Sequence, residues 1–280
     1  MEDIFEQMQM DMTLRDYSPK TIESYTWHIR DMSAYFERSL SELIQDDIRK
    51  YLYHLKTDKG YSNTYLSQAY SAIKYLYRHH FDVPIGLREL HGPRASLKLP
   101  VVLSREEIGR LFSVVTNQKH KLIFMVIYSG GLRVSEAVGL QVKDIDSRRM
   151  QIKVRQGKGR KDRYTLLSGH VLERLREYWR SSHPKLWLFP SRSNNNKPLS
   201  TSTIQRVFQV SRAKADINES STVHSLRHSF ATHLLEQGVN LFVIQRLLGH
   251  KHIQNTLIYL HLQKNHTEQI VNPIDALMEV

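Results

Sequence analysis

The chain contains no cysteine. That removes disulfide staples, thiolate nucleophiles and cysteine-ligated zinc together, and it suits a reducing cytoplasm. There is no apolar run of membrane-spanning length, and the opening Met-Glu-Asp-Ile-Phe-Glu-Gln-Met is acidic where a secretory signal would be basic. A soluble cytoplasmic protein with no membrane partner is expected. The Gly-x-x-x-x-Gly-Lys-Ser/Thr nucleotide loop is absent, as is His-Glu-x-x-His. His224 and His228 sit at i, i+4, but Arg227 beside them opposes a bound cation, so neither metal nor cofactor is expected. No internal repeat is visible, and low complexity is confined to Asn194–Asn196.

What is present is positive charge, unevenly placed. The formal net charge is +12. Residues 1–100 hold 13 Lys and Arg against 14 Asp and Glu, whereas residues 101–280 hold 27 against 14. Between Lys143 and Arg163 nine basic residues face three aspartates, a density suited to neutralising phosphates. A polyanion partner is implied for the second part of the chain; sequence specificity is not.

A chain of 280 residues buries a sizeable core and most naturally divides in two. The first part reads as four helices. An acidic amphipathic segment covers 2–15, and Ser18 and Pro19 then cap and open a helix with Ile22, Tyr25, Ile29, Met32, Tyr35 and Phe36 on its apolar side. A third runs from about Asp46 to Lys59-Gly60, and a fourth starts near Ser62-Asn63. Residues 91–100, aperiodic and with two prolines, form the expected linker between domains at 1–90 and 101–280.

The second part opens with a capping box, Ser104-Arg-Glu-Glu107. Helix is expected to about Thr116 and again over Leu122–Tyr128, leading to a Gly130-Gly131 turn. Strand-like runs at 150–155 and 164–167 flank Gly-Lys-Gly-Arg-Lys-Asp-Arg (157–163) and predict a hairpin with Lys158 at its tip. Helices follow at about 171–180, 202–215, 224–237, 240–248 and 252–262.

Three places in this second part carry chemistry. Ser-Gly-Gly-Leu-Arg-Val-Ser-Glu (129–136) sets Arg133 behind a glycine pair at a helix entrance, where backbone amides and a guanidinium would both meet an anion. Glycines on either side of Lys158 allow close approach to a ligand. The run His-Ser-Leu-Arg-His (224–228), then Leu-Leu-Gly-His (247–250), then Tyr259 combines cations, hydrogen-bond donors and a phenol, a set suited to attack on a phosphodiester. A phenol with a pKa of ~10 needs a proton acceptor and a positive pocket to do so. Covalent attachment through tyrosine would conserve the phosphodiester energy for rejoining without a nucleotide cofactor. Tyr128, on an apolar helix, Tyr164, opening a strand, and Tyr178 are weaker candidates for the nucleophile.

In order, Arg133, Lys158, His224-x-x-Arg227, His250 and Tyr259 resemble the signature of the tyrosine recombinases, the phage-integrase family, over roughly residues 100–262. The resemblance implies a mainly α fold with a small β-hairpin or sheet: a two-domain C-shaped clamp, with a helical core-binding (SAM-like) domain and an α+β catalytic domain. It also implies a site-specific recombinase. Tyr259 would attack the scissile phosphate to leave a 3′-phosphotyrosyl bond and a free 5′-hydroxyl, Arg133 and Arg227 would hold the non-bridging oxygens, and Lys158 would protonate the leaving oxygen. His224 would assist proton removal from Tyr259, His250 would hydrogen-bond the phosphate, and Glu136 would brace the site from behind.

The implied partners are double-stranded DNA with inverted core sites and, on two such sites, three further copies of the chain in a homo-tetramer, with monomer or weak oligomer free of DNA. The tail after Tyr259, with Ile270, Ile274, Leu277 and Met278 apolar and Pro273 breaking it, suits docking on a neighbour. No arm-binding domain of the lambda-integrase kind is expected before the helices, which favours a simple recombinase. Local sequences resemble the Xer and integron branches, although only 56 residues separate Leu167 from His224, too few for the integron insertion. A topoisomerase-like relaxing enzyme and a non-catalytic DNA-binding regulator are the readings from neighbouring classes.

Overall fold

The computed structural model describes residues 2–81, 99–155 and 162–260. The expectations for the linker up to residue 98, for Lys158 and for the tail from residue 261 therefore fall outside the described residues. Two units separate at Lys98 and Leu99.

Among its described residues the first unit has four α-helices, α1 (Glu2–Leu14), α2 (Pro19–Phe36), α3 (Gln45–Thr57) and α4 (Asn63–His80), with a 3₁₀ turn at Leu40–Glu42. Local chemistry sets the boundaries. Ser18 accepts a hydrogen bond from the Thr21 amide at 3.1 Å with Pro19 in the first turn, and Ser62 accepts one from the Tyr65 amide at 3.3 Å. Met8, Met12, Ile29, Met32, Ile48, Leu55, Ile73 and Leu76 form the core. Tyr51 and Tyr77 are buried with it, their hydroxyls donating to Asp31 and to the Leu40 carbonyl; Tyr35 and Tyr53 stay exposed.

The second unit contains α5 (Arg105–Val114), α6 (Gln118–Gly130), α7 (Val134–Val138), β1 (Ile145–Asp146), β2 (Gln151–Val154), β3 (Arg163–Leu166), α8 (Gly169–Ser182), α9 (Thr201–Lys214), α10 (Val223–Glu236), α11 (Leu241–Leu248) and α12 (Gln254–Leu257). The expected Ser104 capping box forms, with bonds of 2.7 and 3.2 Å. The sheet is antiparallel in the order β1-β2-β3, with Ile145 opposite Ile152 and Lys153 opposite Tyr164. The two-residue β1 has no sequence signature; it pairs only because β2 presents it an edge. The predicted last helix is shorter than expected among the described residues: α12 is one turn, and Tyr259 lies in the turn after it.

At the centre of this unit α10 packs on α6 and α11. It is buried nearly all round, polar residues included: Ser225, Arg227, Ser229, Thr232 and His233 lie inside with the apolar ones. Ser229 shows how this is possible, its hydroxyl accepting from the Leu103 amide at 2.8 Å and donating to the Ser225 carbonyl at 2.8 Å. Only its first turn, at His224, reaches solvent fully. Among the described residues no helix is long and apolar enough to cross a membrane.

Candidate active site

The site lies where three helix ends meet. Gly131 closes α6 at φ +62, and a Cβ there would fall 2.4 Å from the Phe230 ring, so only glycine permits α10 to come this close. Gly249 closes α11 at φ +67, with the Gly249 and His250 amides bonding back to the Arg246 and Gln245 carbonyls, the Schellman arrangement. Arg227, on α10, ties both ends together. Its Nη1 donates to the Gly131 carbonyl at 2.6 Å and its Nη2 to the Leu248 carbonyl at 2.7 Å, while Nη2 also lies 3.1 Å from His250 Nε2. Each carbonyl is at the negative end of a helix, where a cation is favoured. Burial, and then the nearby Arg133, lower the Arg227 pKa to about 10, which leaves it charged at neutral pH.

Arg227 donates, so His250 Nε2 accepts, and His250 Nδ1–H then donates to Thr256 Oγ1, 2.9 Å away. Both ring nitrogens are thereby occupied within the protein. In this structure His250 holds Arg227. Burial, with Arg227 and Arg133 adding to it, drops its pKa to about 3, so the ring is neutral.

Arg133 is the N-cap of α7. Glu136, one turn on, accepts from its backbone amide at 2.8 Å and from its Nη1 at 2.7 Å. The Arg133 amide anticipated for an anion is thus already taken by Glu136, and what Arg133 presents is the rest of a partly exposed guanidinium. Glu136 also meets Arg163 through both carboxylate oxygens, at 2.8 and 2.7 Å, and lies 3.7 Å from Arg227 Nη1. Burial alone would raise its pKa, but Arg163, then Arg133, overcome this and hold it at about 2.

Tyr259 is almost wholly buried, at 1% exposure, in a small cluster with Phe230, Leu235, Ile244 and Leu248. Its hydroxyl lies 3.1 Å from His228 Nδ1, and its ring is parallel to that of His250, 6.5 Å between centroids. Burial raises the phenol's pKa against the opposing charges of Arg227 and Arg133; burial first, then His224 and Arg227, lower that of His228 to about 4. The imidazole beside the phenol in this structure is that of His228; His224 is the one to which the resemblance gives the proton-removing role. His224, one turn earlier on α10, stands exposed at the rim, its pKa lowered by desolvation and by Arg227 and Arg133. Which of two histidines at i, i+4 faces the tyrosine depends on where the 250–259 segment returns, and no local pattern tells that.

Arg163 is the other residue not singled out from sequence. Together with Thr165, whose hydroxyl donates to the Gly130 carbonyl at 2.7 Å, it faces inward from β3, while Tyr164 and Leu166 face solvent. The period-2 alternation held that signal. The basic cluster from 143 to 163 is partly spent on the protein's own carboxylates: Arg163 on Glu136, Arg155 on the buried Asp144 and, at the surface, Lys153 on Asp162. Of the weaker nucleophile candidates, Tyr128 is bonded to His233 at 2.9 Å, Tyr178 is buried, and Tyr164 is exposed on its strand.

Similarity to known proteins shows the family of the chain. The model of the phage integrase family matches residues 102–266, and that of the phage integrase N-terminal SAM-like domain matches residues 4–87. The tyrosine recombinase XerA of Thermococcus kodakarensis is 35% identical, covering 94% of this chain and 92% of its own length. The chain belongs to the tyrosine recombinases. An integrase/recombinase of Escherichia coli is 30% identical to this recombinase over 98% of the chain and 94% of its own length. Among solved structures, the site-specific recombinase XerH bound to a palindromic difH substrate superposes with a TM-score of 0.76 at 22% identity, covering 95% of this chain and 83% of that one; this likeness supports the two-domain recombinase fold.

Proposed function

We propose that this tyrosine recombinase cuts and rejoins duplex DNA at inverted core sites, using Tyr259 as the nucleophile. The chain is a recombinase by family; the residue roles and the assembly are the inference. The observation that carries it is the Tyr259 hydroxyl held 3.1 Å from a neutral His228, beside an arginine pair joined through Glu136.

In the reaction the phenol oxygen bonds to phosphorus and the bond from phosphorus to the 5′-oxygen breaks, giving a 3′-phosphotyrosyl link and a 5′-hydroxyl. His228 takes the phenolic proton. Its low pKa makes it a poor base in the free protein, and an arriving phosphate, being negative, raises that pKa and improves it. Lys158 gives the proton that the leaving 5′-oxygen needs. Arg227 and Arg133 supply guanidinium N–H groups to the non-bridging oxygens, and His224 borders the same phosphate. These contacts strengthen as negative charge grows on the equatorial oxygens. His250 keeps Arg227 in place.

Reciprocal exchange between two sites, each with two inverted core elements, calls for four protomers; residues 101–280 carry the chemistry, and residues 1–90 contribute a second DNA-binding domain. Work on DNA of this kind fits a cytoplasmic protein.

The test is a nicked suicide substrate on which wild-type protein accumulates a covalent adduct. Tyr259→Phe should bind the same DNA with unchanged affinity and yield no adduct. An adduct formed by that variant would transfer the role to another tyrosine.

A further inference from the structure

Arg163 sits inside the basic cluster that sequence reading assigns to phosphate, yet its surroundings are those of a brace. Its side chain is only 11% exposed. All three of its nitrogens are engaged within the protein: Nε donates to the Leu247 carbonyl at 3.0 Å, and Nη1 and Nη2 reach the two oxygens of Glu136 at 2.8 and 2.7 Å. The stem crosses the face of Gly249, where an added Cβ would lie 2.6 Å from Arg163 Cδ.

One guanidinium therefore fixes two things. Through Glu136 it orients Arg133, whose amide and Nη1 the same carboxylate receives. By covering the last turn of α11 and packing on Gly249 it holds the turn that delivers His250, and His250 holds Arg227. Lysine cannot reproduce this, because a single ammonium cannot pair both carboxylate oxygens in plane and reach a third acceptor.

We propose that Arg163 is a positioning residue of the recombination site, setting Arg133 through Glu136 and His250 through the α11 turn without itself touching DNA. The inference rests on the assignment of Tyr259, Arg133 and Arg227 to the scissile phosphate.

The experiment measures single-turnover adduct formation on the nicked suicide substrate, as a function of DNA and salt concentration, for the wild type, Arg163→Lys, Arg163→Gln, Glu136→Gln and the double variant Arg163→Lys/Glu136→Gln. Arg163→Lys keeps the charge. It should bind DNA with wild-type affinity and wild-type salt dependence, while the maximal rate falls about 10–100-fold, the scale of loss that sub-ångström to ångström misplacement of catalytic groups brings. The double variant should lose no more than its slower parent, because both substitutions break one link.

A wild-type rate in Arg163→Lys would overturn the proposal. So would weaker binding with a salt slope reduced by about 0.9, the mark of one lost phosphate contact, or losses that multiply in the double variant. Absence of cooperative unfolding in both Arg163 variants would make the residue a folding determinant and also overturn it. Failure of the wild type to form an adduct strikes the Tyr259 assignment itself, and so is told apart from failure of the Arg163 proposal alone.

Discussion

Replacing Gly131 by alanine tests whether the contact between α6 and α10 is as tight as the site geometry requires. Two costs add at this position. An alanine at φ +62 occupies the left-handed region, which costs an L-residue about 1–2 kcal/mol. Its Cβ would also lie 2.4 and 2.5 Å from two carbons of the Phe230 ring and 2.9 Å from Leu248 Cδ2, an overlap that core repacking relieves at about 1–3 kcal/mol. The sum is about 2–5 kcal/mol.

Gly238, in the same unit, provides the control. Its φ is +79, but nothing lies within 4 Å of an added Cβ, so Gly238→Ala should show only the backbone strain of about 1–2 kcal/mol. Urea unfolding followed by circular dichroism measures both. Relief of the Phe230 overlap pushes α10 away from the Gly131 carbonyl that Arg227 donates to at 2.6 Å, so Gly131→Ala should also lose adduct formation on the suicide substrate well beyond Gly238→Ala. Equal destabilisation by the two alanines, or a fully active Gly131→Ala protein, would refute the argument.

Three further outcomes follow from the site. If Lys158 is the acid, Lys158→Ala slows cleavage of normal DNA far more than of DNA with sulfur as the bridging 5′ atom, since a thiolate leaves without a proton; equal losses would make Lys158 a binding residue only. The His228 pKa is lowered to about 4, so between pH 7 and 5 the unfolded chain takes up a proton there that the folded one does not, and stability falls with pH by up to about 2 kcal/mol from this ring. His228→Gln should remove that part of the pH dependence of the urea midpoint, and an unchanged slope would mean that the ring is not buried as described. Cleavage should persist in excess chelator; loss of the chemical step with DNA binding intact would contradict a mechanism run by side chains alone.

The legible parts of this protein are those that local physics fixes. Ser18-Pro19 and Ser104-x-x-Glu107 announce helix starts because a side-chain oxygen answers orphan amides within three residues. Gly131 and Gly249 announce helix ends because only glycine adopts positive φ freely. Arg133, Arg227 and Tyr259 stand out because each sits in a motif with fixed neighbours. What stayed hidden depends on tertiary return paths. His228 rather than His224 meets the phenol because the chain doubles back after Gly249 at one particular angle, and His250 turns its ring to Arg227 and Thr256 once those residues converge. Arg163 was masked by its company, one cation among nine, although the inward-facing Thr165 two residues on marked its side of the strand. The two-residue β1 is too short for any periodicity to show, and the helix expected over 252–262 is a single turn among the described residues.

The central claim is that Tyr259 becomes joined to DNA through a 3′-phosphate, and mapping the covalent adduct tests it most directly. Wild-type protein is trapped on the suicide substrate, digested with protease and nuclease, and the nucleotide-bearing peptide is sequenced by mass spectrometry while the released DNA end is offered to a 5′-kinase. The account predicts a single modified peptide with the nucleotide on Tyr259, linked through its 3′-phosphate, and a released strand that is phosphorylated at once because its 5′ end is a free hydroxyl. A nucleotide on Tyr128, Tyr164 or Tyr178, or a 5′-linked adduct on any residue, would contradict it.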